Sequence, residues 1–326
     1  MGGSKGVLGL KRIELSVLDL VPSWEGADPG TAVGHAVTLA RTAEKLGFVR
    51  YWVAEHHDMP GIVSSCPEVL LAHIGARTER IRIGSGAVLL PYYKPYKVAE
   101  AFHMLATLYP GRIDLGIGRA PGGSAHVSMA LADNYLEQVR RLPESVEALA
   151  ALLADAYRVD GQPVTARPLP DVPPELWLLG TGDKSAKLAS RTGAGFAFGY
   201  YMSERDGADI LNAYRNEYAP SRLAPRPKTI VAVGVVCAET EAEARRLAAA
   251  GLRSIPGADA AAADGAERPA HAGRAVVGTP EQVRAQLLDI AGRLGADEIM
   301  AVTAVADYAA RLRSYELLAE AVQGPT

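Results

Sequence analysis

Cysteine is nearly absent from this chain: its 326 residues include only Cys66 and Cys237. The two lie far apart without CxxC spacing, so the sequence supports neither a disulfide framework nor a thiolate zinc site, and both read as small buried hydrophobes. Long apolar runs are also missing. No segment reaches the ~20 apolar residues of a membrane span, and the opening MGGSKGVLGLKR has neither an apolar h-region nor a cleavage site. The expected location is therefore the cytoplasm, with no membrane partner. Charge of one sign is missing too. The 34 basic and 37 acidic residues are interspersed and sum to -3, which leaves no basic stripe for nucleic acid and no block that reads as a disordered tail. Small molecules are the expected partners. Internal repeats of solenoid type are lacking as well.

What is present is an alternation of short β-rich runs with longer helical patterns, the signature of a parallel α/β architecture. Eight strands are expected, over 15–19, 50–54, 81–89, 112–117, 176–179, 195–199, 230–237 and 298–303. Several are apolar on both faces, as strands covered by helices must be. Eight units close a barrel, so the expected fold is an α/β, (β/α)8 TIM barrel. Helix ends are marked: Thr279-Pro280-Glu281-Gln282 offers a capping hydroxyl, a proline at the first helical position and a glutamine for a capping box, with Gly295 as the stop. A second helical unit spans 30–46 and ends at Gly47; its His35 reads as an ordinary surface or packed histidine. Two segments exceed a minimal barrel. A helical stretch over 129–156 with a Pro-rich tail over 158–174 forms an insertion after strand four. An Ala/Gly/Asp-rich segment over 254–274 follows strand seven, and loops of that length in compact domains are lids or disordered. A lid is the expectation there, and residues 1–10 are expected to be flexible.

In such a barrel the C-terminal strand ends converge on one face, where chemistry is built. The second strand ends YWVAEHHDMPG, so Glu55, His56 and His57 arrive there together, with neighbouring side chains turned to opposite sides. A metal reading is weak, because HExxH spacing is absent and adjacent histidines rarely chelate one ion. GRIDLGIGRAPGG (111–123) has three glycines but the wrong third spacing for a dinucleotide fingerprint, and Pro121 intervenes. It does place Arg119 at a strand end, within reach of a phosphate or carboxylate. In WLLGTGDKSAKLA (177–189) a strand stops at Gly180 and a helix begins near Ser185. The amides around Gly182, the Thr181 and Ser185 hydroxyls and the Lys184 ammonium together suit an anion, although many barrel loops merely cap their helix this way.

These motifs, with IRIGSGAVLLP, KVAE and the late VGTPEQV, resemble in register and order the bacterial luciferase-like flavin-dependent monooxygenases, over nearly the whole chain. LSVLDLVP, VAEHH and GRAPGG resemble a branch that includes tailoring oxygenases of polyketide pathways, the mensacarcin oxygenase among them. The resemblance implies one domain over 1–326, with FMN bound as FMNH2 at the C-terminal face and a reaction with O2 through a flavin C4a-hydroperoxide. It further implies a separate NAD(P)H:flavin reductase, since the chain has no nicotinamide fingerprint, and a homodimer packed through helices near the first strands. His56 matches the catalytic histidine and Glu55 a flavin-site carboxylate. Gly86-Ala87 matches a non-prolyl cis peptide beneath the flavin ring. Arg119 and Ser185 match phosphate-contacting positions. The chain departs from its relatives at Gly118, where luciferase has a reactive cysteine, and at Thr181-Gly182, where relatives often carry a serine pair. Tyr92 stands near a position where relatives have His or Asn; with Tyr93 and His57 it either lines a substrate pocket or simply packs and faces solvent. Two alternatives stay open: a deazaflavin-dependent hydride-transfer enzyme on the same barrel, and a non-catalytic flavin-binding protein.

Overall fold

The structure, a computed structural model, describes residues 13–24, 27–254 and 274–324. Eight parallel strands close on themselves: β1 (Glu14–Asp19), β2 (Arg50–Val53), β3 (Arg82–Leu89), β4 (Ile113–Gly118), β5 (Glu175–Gly180), β6 (Gly195–Gly199), β7 (Thr229–Cys237) and β8 (Glu298–Val302). Neighbours in sequence are neighbours in the barrel, β7 pairs with β6 and with β8, and β8 closes on β1. Each expected strand is present to within about a residue. Their outward side chains, such as Leu15, Val17, Tyr51 and Val53, join one large apolar cluster with the helices, burying apolar area that drives closure.

The helix ends follow local chemistry. Helix Pro280–Leu294 starts at Thr279, whose hydroxyl accepts the Gln282 amide while the Gln282 side chain returns to the Thr279 amide, and it stops at left-handed Gly295. Helix Pro29–Lys45 starts at Asp28, whose carboxylate accepts the Thr31 amide. The insertion after β4 is not one long helix. It divides into Ala125–Leu131, Tyr135–Arg140 and Leu142–Leu153. Asn134 caps the second of these with its side chain, and Pro143, which has no amide proton, is placed in the first turn of the third. The Pro-rich tail then contains a two-strand hairpin, Arg158–Val159 with Gln162–Pro163. After β7, helix Glu241–Ser254 and strand Val276–Gly278, parallel to the end of β7, flank the expected lid, most of which lies outside the described residues, as do residues 1–10. No helix among the described residues is long and apolar enough to cross a membrane.

The barrel interior is built in two parts. At its N-terminal end sits a closed ionic network. Arg50 donates to both oxygens of Glu298 (2.7 and 3.0 Å) and to Asp114 (2.8 Å), Arg82 also donates to Asp114, and Lys228 pairs with Glu175 at 3.0 Å. Above it lie Leu18, Trp52, Trp177, Ile230 and Met300; the two indoles meet edge to face, and the Arg50 guanidinium lies 4.9 Å from the Trp177 ring.

Candidate active site

Arg50 and Trp52 face the interior of β2, and the same parity carried past the strand end gives Ala54 and His56. Glu55 therefore turns into the wall, where it is buried, 2 % exposed. One of its oxygens accepts the Leu89 amide at 2.9 Å; the other accepts the Tyr93 hydroxyl at 2.7 Å and lies 2.8 Å from His57 Nε2. Burial pushes the Glu55 carboxyl above its usual range, against these three hydrogen bonds. The contacts tie the ends of β2 and β3 together. Tyr92 is also held: its hydroxyl donates to the Pro121 carbonyl at 2.6 Å, its ring stacks on Tyr135, and His57 meets it edge to face. His57, Tyr92 and Tyr93 thus converge on one wall of the mouth, with the Tyr93 hydroxyl committed to Glu55.

His56 differs from all of these. Its backbone amide donates to Ser64, but its ring makes no hydrogen bond among the described residues, and Nδ1 is buried without a partner there. Burial, with His57 adding to it, lowers its pKa from the ordinary 6.5, which favours the neutral ring. Such an orphaned group in a native site calls for an explanation.

On the neighbouring strand β3 the mouth is lined by small residues. The Gly86–Ala87 peptide is cis, as the resemblance implies, and it sits in a bulge where β3 spends one residue more than β4 between the Ser85–Leu115 and Val88–Ile117 pairs. Ser85 bridges the bulge, its hydroxyl donating to the Gly116 carbonyl and accepting the Gly116 amide. A Cβ on Gly86 would come within 2.7 Å of Leu18 and 3.1 Å of Trp52, so glycine lets the chain pass directly over the interior cluster. Gly122, at φ +63°, makes the turn that brings its carbonyl to the His57 amide at 2.7 Å.

Across the barrel, helix Asp183–Thr192 begins at Gly182, which has no side-chain cap and open space where a Cβ would be. Ser185, partly buried, donates to the Gly182 carbonyl at 2.9 Å, while Thr181, Lys184 and Arg119 are exposed at the rim. Asp183 is engaged by Arg205. This end of the helix offers free amides, a positive dipole end and nearby cations, the requirements of a phosphate site. Sequence reasoning missed the base of the mouth, formed by Leu18, Trp52 and Trp177, and Tyr201 and Leu179, which pack against that cluster. Counting side-chain parity along β2 and β5 exposes Trp52 and Trp177; nothing local marks Tyr201.

Residues 13–298 match the family model described as luciferase-like monooxygenase. The chain belongs to that family. It is 34% identical over 326 residues to a luciferase-like monooxygenase of Escherichia coli, covering 94% of this chain and 96% of that protein. It is 39% identical to the N-acetyl-S-alkylcysteine monooxygenase of Bacillus subtilis, over 72% of this chain and 70% of the other. Among solved structures, apo-MsnO8 superposes with a TM-score of 0.83 at 38% identity, covering 96% of this chain and 99% of that one. Family membership supports an oxidoreductase on a TIM barrel, in agreement with the resemblance read from EHH, GRAPGG and VGTPEQV.

Proposed function

We propose that this chain is the oxygenating component of a two-component flavin monooxygenase. It takes FMN in reduced form from a separate NAD(P)H:flavin reductase and transfers one oxygen atom of O2 to a small organic substrate, in the cytoplasm. The observation that carries the reading is the pairing of His56, whose Nδ1 is buried without a partner among the described residues, with the small Gly86–Ala87 segment on the neighbouring strand. The residues present fit a flavin mononucleotide: a flat ring needs a wall of small residues, and a single phosphate needs free amides and cations. The wall is Gly86–Ala87, and the phosphate grip is Thr181, Gly182, Lys184 and Ser185 with Arg119.

Reduced flavin, when bound, supplies the electrons that activate O2. The chain does the rest. In its neutral form His56 carries one N–H and one lone pair, so it can hold a hydrogen bond to an oxygen atom and pass a proton to or from it. Glu55 holds the Leu89 amide, and so the strand that bears the cis peptide, in place. Trp52, Trp177 and Leu18 close the base against water. Val69, Met104 and Leu108, 67%, 48% and 53% exposed on the adjacent helices Pro67–Gly75 and Pro95–Leu108, present an apolar face that suits the homodimer the family likeness implies.

For the substrate we propose hydroxylation or epoxidation of a polyketide, on the likeness of LSVLDLVP and GRAPGG to the tailoring branch. The test is oxygen-dependent product formation with FMN and a general flavin reductase, on a panel of aromatic polyketides and N-acetyl-S-alkylcysteines. Incorporation of labelled oxygen from O2 is expected in a polyketide product. Turnover of thioethers alone overturns the substrate class, and a preference for a deazaflavin with no oxygen dependence overturns the reaction.

A further inference from the structure

Outside the barrel wall, over the C-terminal end of β1, a cavity of about 280 Å³ lies between helix Pro29–Lys45 and helix Tyr308–Gln323. It is separate from the mouth: Leu18 points into the barrel interior, whereas the next residue, Asp19, points the other way and lines this cavity. Asp19 is fully buried and accepts from Tyr51, from the Val21 amide at 2.8 Å and from Arg311 Nη2 at 2.8 Å. Arg311, 4 % exposed, also donates from Nε to the Thr303 carbonyl at 3.1 Å. From the loop after β1, Trp24 lines the same space, and its indole nitrogen is buried without a partner among the described residues. His35 and Tyr308 stack at 3.6 Å and 5° to form a further wall, while Val21, Ala32 and Ala36 keep the rest apolar.

We infer that this cavity is a second small-molecule site, and that it takes a neutral compound that joins an apolar ring to a carbonyl oxygen. The unpartnered Trp24 indole nitrogen borders this space, so an occupant that meets it must bring an acceptor. It is neutral because the buried ion pair there, Asp19–Arg311, is already balanced one to one, and a further charge would be desolvated without a counterpart. The volume is near the lower edge of ordinary ligand sites, which suits a single ring with a short substituent.

The chain has three tryptophans, and the other two, Trp52 and Trp177, lie inside the barrel, so the indole N–H resonances report on both places at once. The whole protein, labelled with 15N, is titrated with acetophenone, with sodium benzoate and with toluene; Trp24→Phe assigns the resonance. The expected result is a saturable shift of the Trp24 indole signal with acetophenone, at least tenfold weaker with benzoate and toluene, and lost in Ala36→Leu, whose extra bulk occupies the cavity. Movement of the Trp52 or Trp177 signals instead would place binding in the mouth and overturn the proposal. Equal response to toluene would reduce the cavity to an apolar void, and no saturable response to acetophenone would leave it no ligand of this class. None of these readouts depends on flavin, so the proposed monooxygenase reaction can fail while this site stands.

Discussion

At the N-terminal end of the barrel the interior charges are paired; at the C-terminal end a histidine ring has no hydrogen bond among the described residues. Arg50 meets Glu298 and Asp114 on strands far apart in sequence, and Trp52 Nε1 donates to Asp114 as well. Such a network is costly to desolvate and holds only when complete, so it fixes register and little else. The mouth inverts this: glycine at 86 and 118, a cis peptide, a bulge, and His56 with a buried nitrogen unmet. One end has its buried charges paired with one another. The other is left incomplete where a ligand can complete it, which is the division between stability and chemistry that a TIM barrel permits.

The comparison breaks most visibly if Arg50 is removed. Arg50→Ala leaves Glu298 and Asp114 buried with fewer partners, and a loss of about 3–5 kcal/mol is expected for breaking a buried charge network from one side. Denaturant unfolding measures it. Folded Arg50→Ala at low temperature should bind FMN as the parent does; a selective loss of flavin affinity with unchanged stability would mean the two ends are not separate.

His56→Ala is the converse experiment. Turnover should fall about 10²-fold or more, the usual worth of a positioned acid–base group. The unfolding midpoint should stay close to that of the parent, since no hydrogen bond of the ring is lost. Steady-state rates and an unfolding curve on the same preparation decide it, and intact turnover would remove His56 from the chemistry. A smaller effect is expected at Gly86. In Gly86→Ala the new methyl meets Leu18 and Trp52, and overpacking of about 1–3 kcal/mol must be relieved by lifting the β3 bulge. Flavin affinity, measured by fluorescence quenching, is where that shift registers.

The paired end and the barrel walls differ from the mouth in how far they could be read from sequence. Strands such as 230–237 announce themselves because helices cover one side and the barrel core the other, so the run is apolar throughout. The helix after Thr279 carries its own start and stop. Glu55, His56 and His57 were legible as a strand-end cluster, and the cis bond at Gly86–Ala87 only through resemblance. What no local pattern discloses is which acid meets Arg50, because Glu298 is 248 positions away. For the same reason the division of labour within EHH, with Glu55 and His57 in the wall and His56 free, needed the Tyr93 hydroxyl and the Leu89 amide, 38 and 34 positions on. The break of the insertion at Asn134 was written in the sequence as a capping residue inside a helical run.

The smallest expected effect concerns pH and tests whether the mouth is electrostatically its own. His56 is held below the ordinary histidine pKa of 6.5 first by burial and then by His57. The unfolded chain therefore takes up this proton before the folded one does. Stability from His56 is fully present above pH 6.5 and declines as the pH falls from there toward the lower folded value. If the neutral ring is the working form, the acid limb of kcat should likewise fall below pH 6.5 and show a plateau at neutral pH. His57→Gln keeps an N–H donor for Glu55 but removes the neighbour that helps hold the His56 pKa down. The limb should then move upward toward 6.5, while Arg50→Ala should leave it where it was, the floor being separated from His56 by the Trp52 and Trp177 layer. A limb that moves with Arg50 and not with His57 would show that the floor, for all its pairing, sets the field at the mouth.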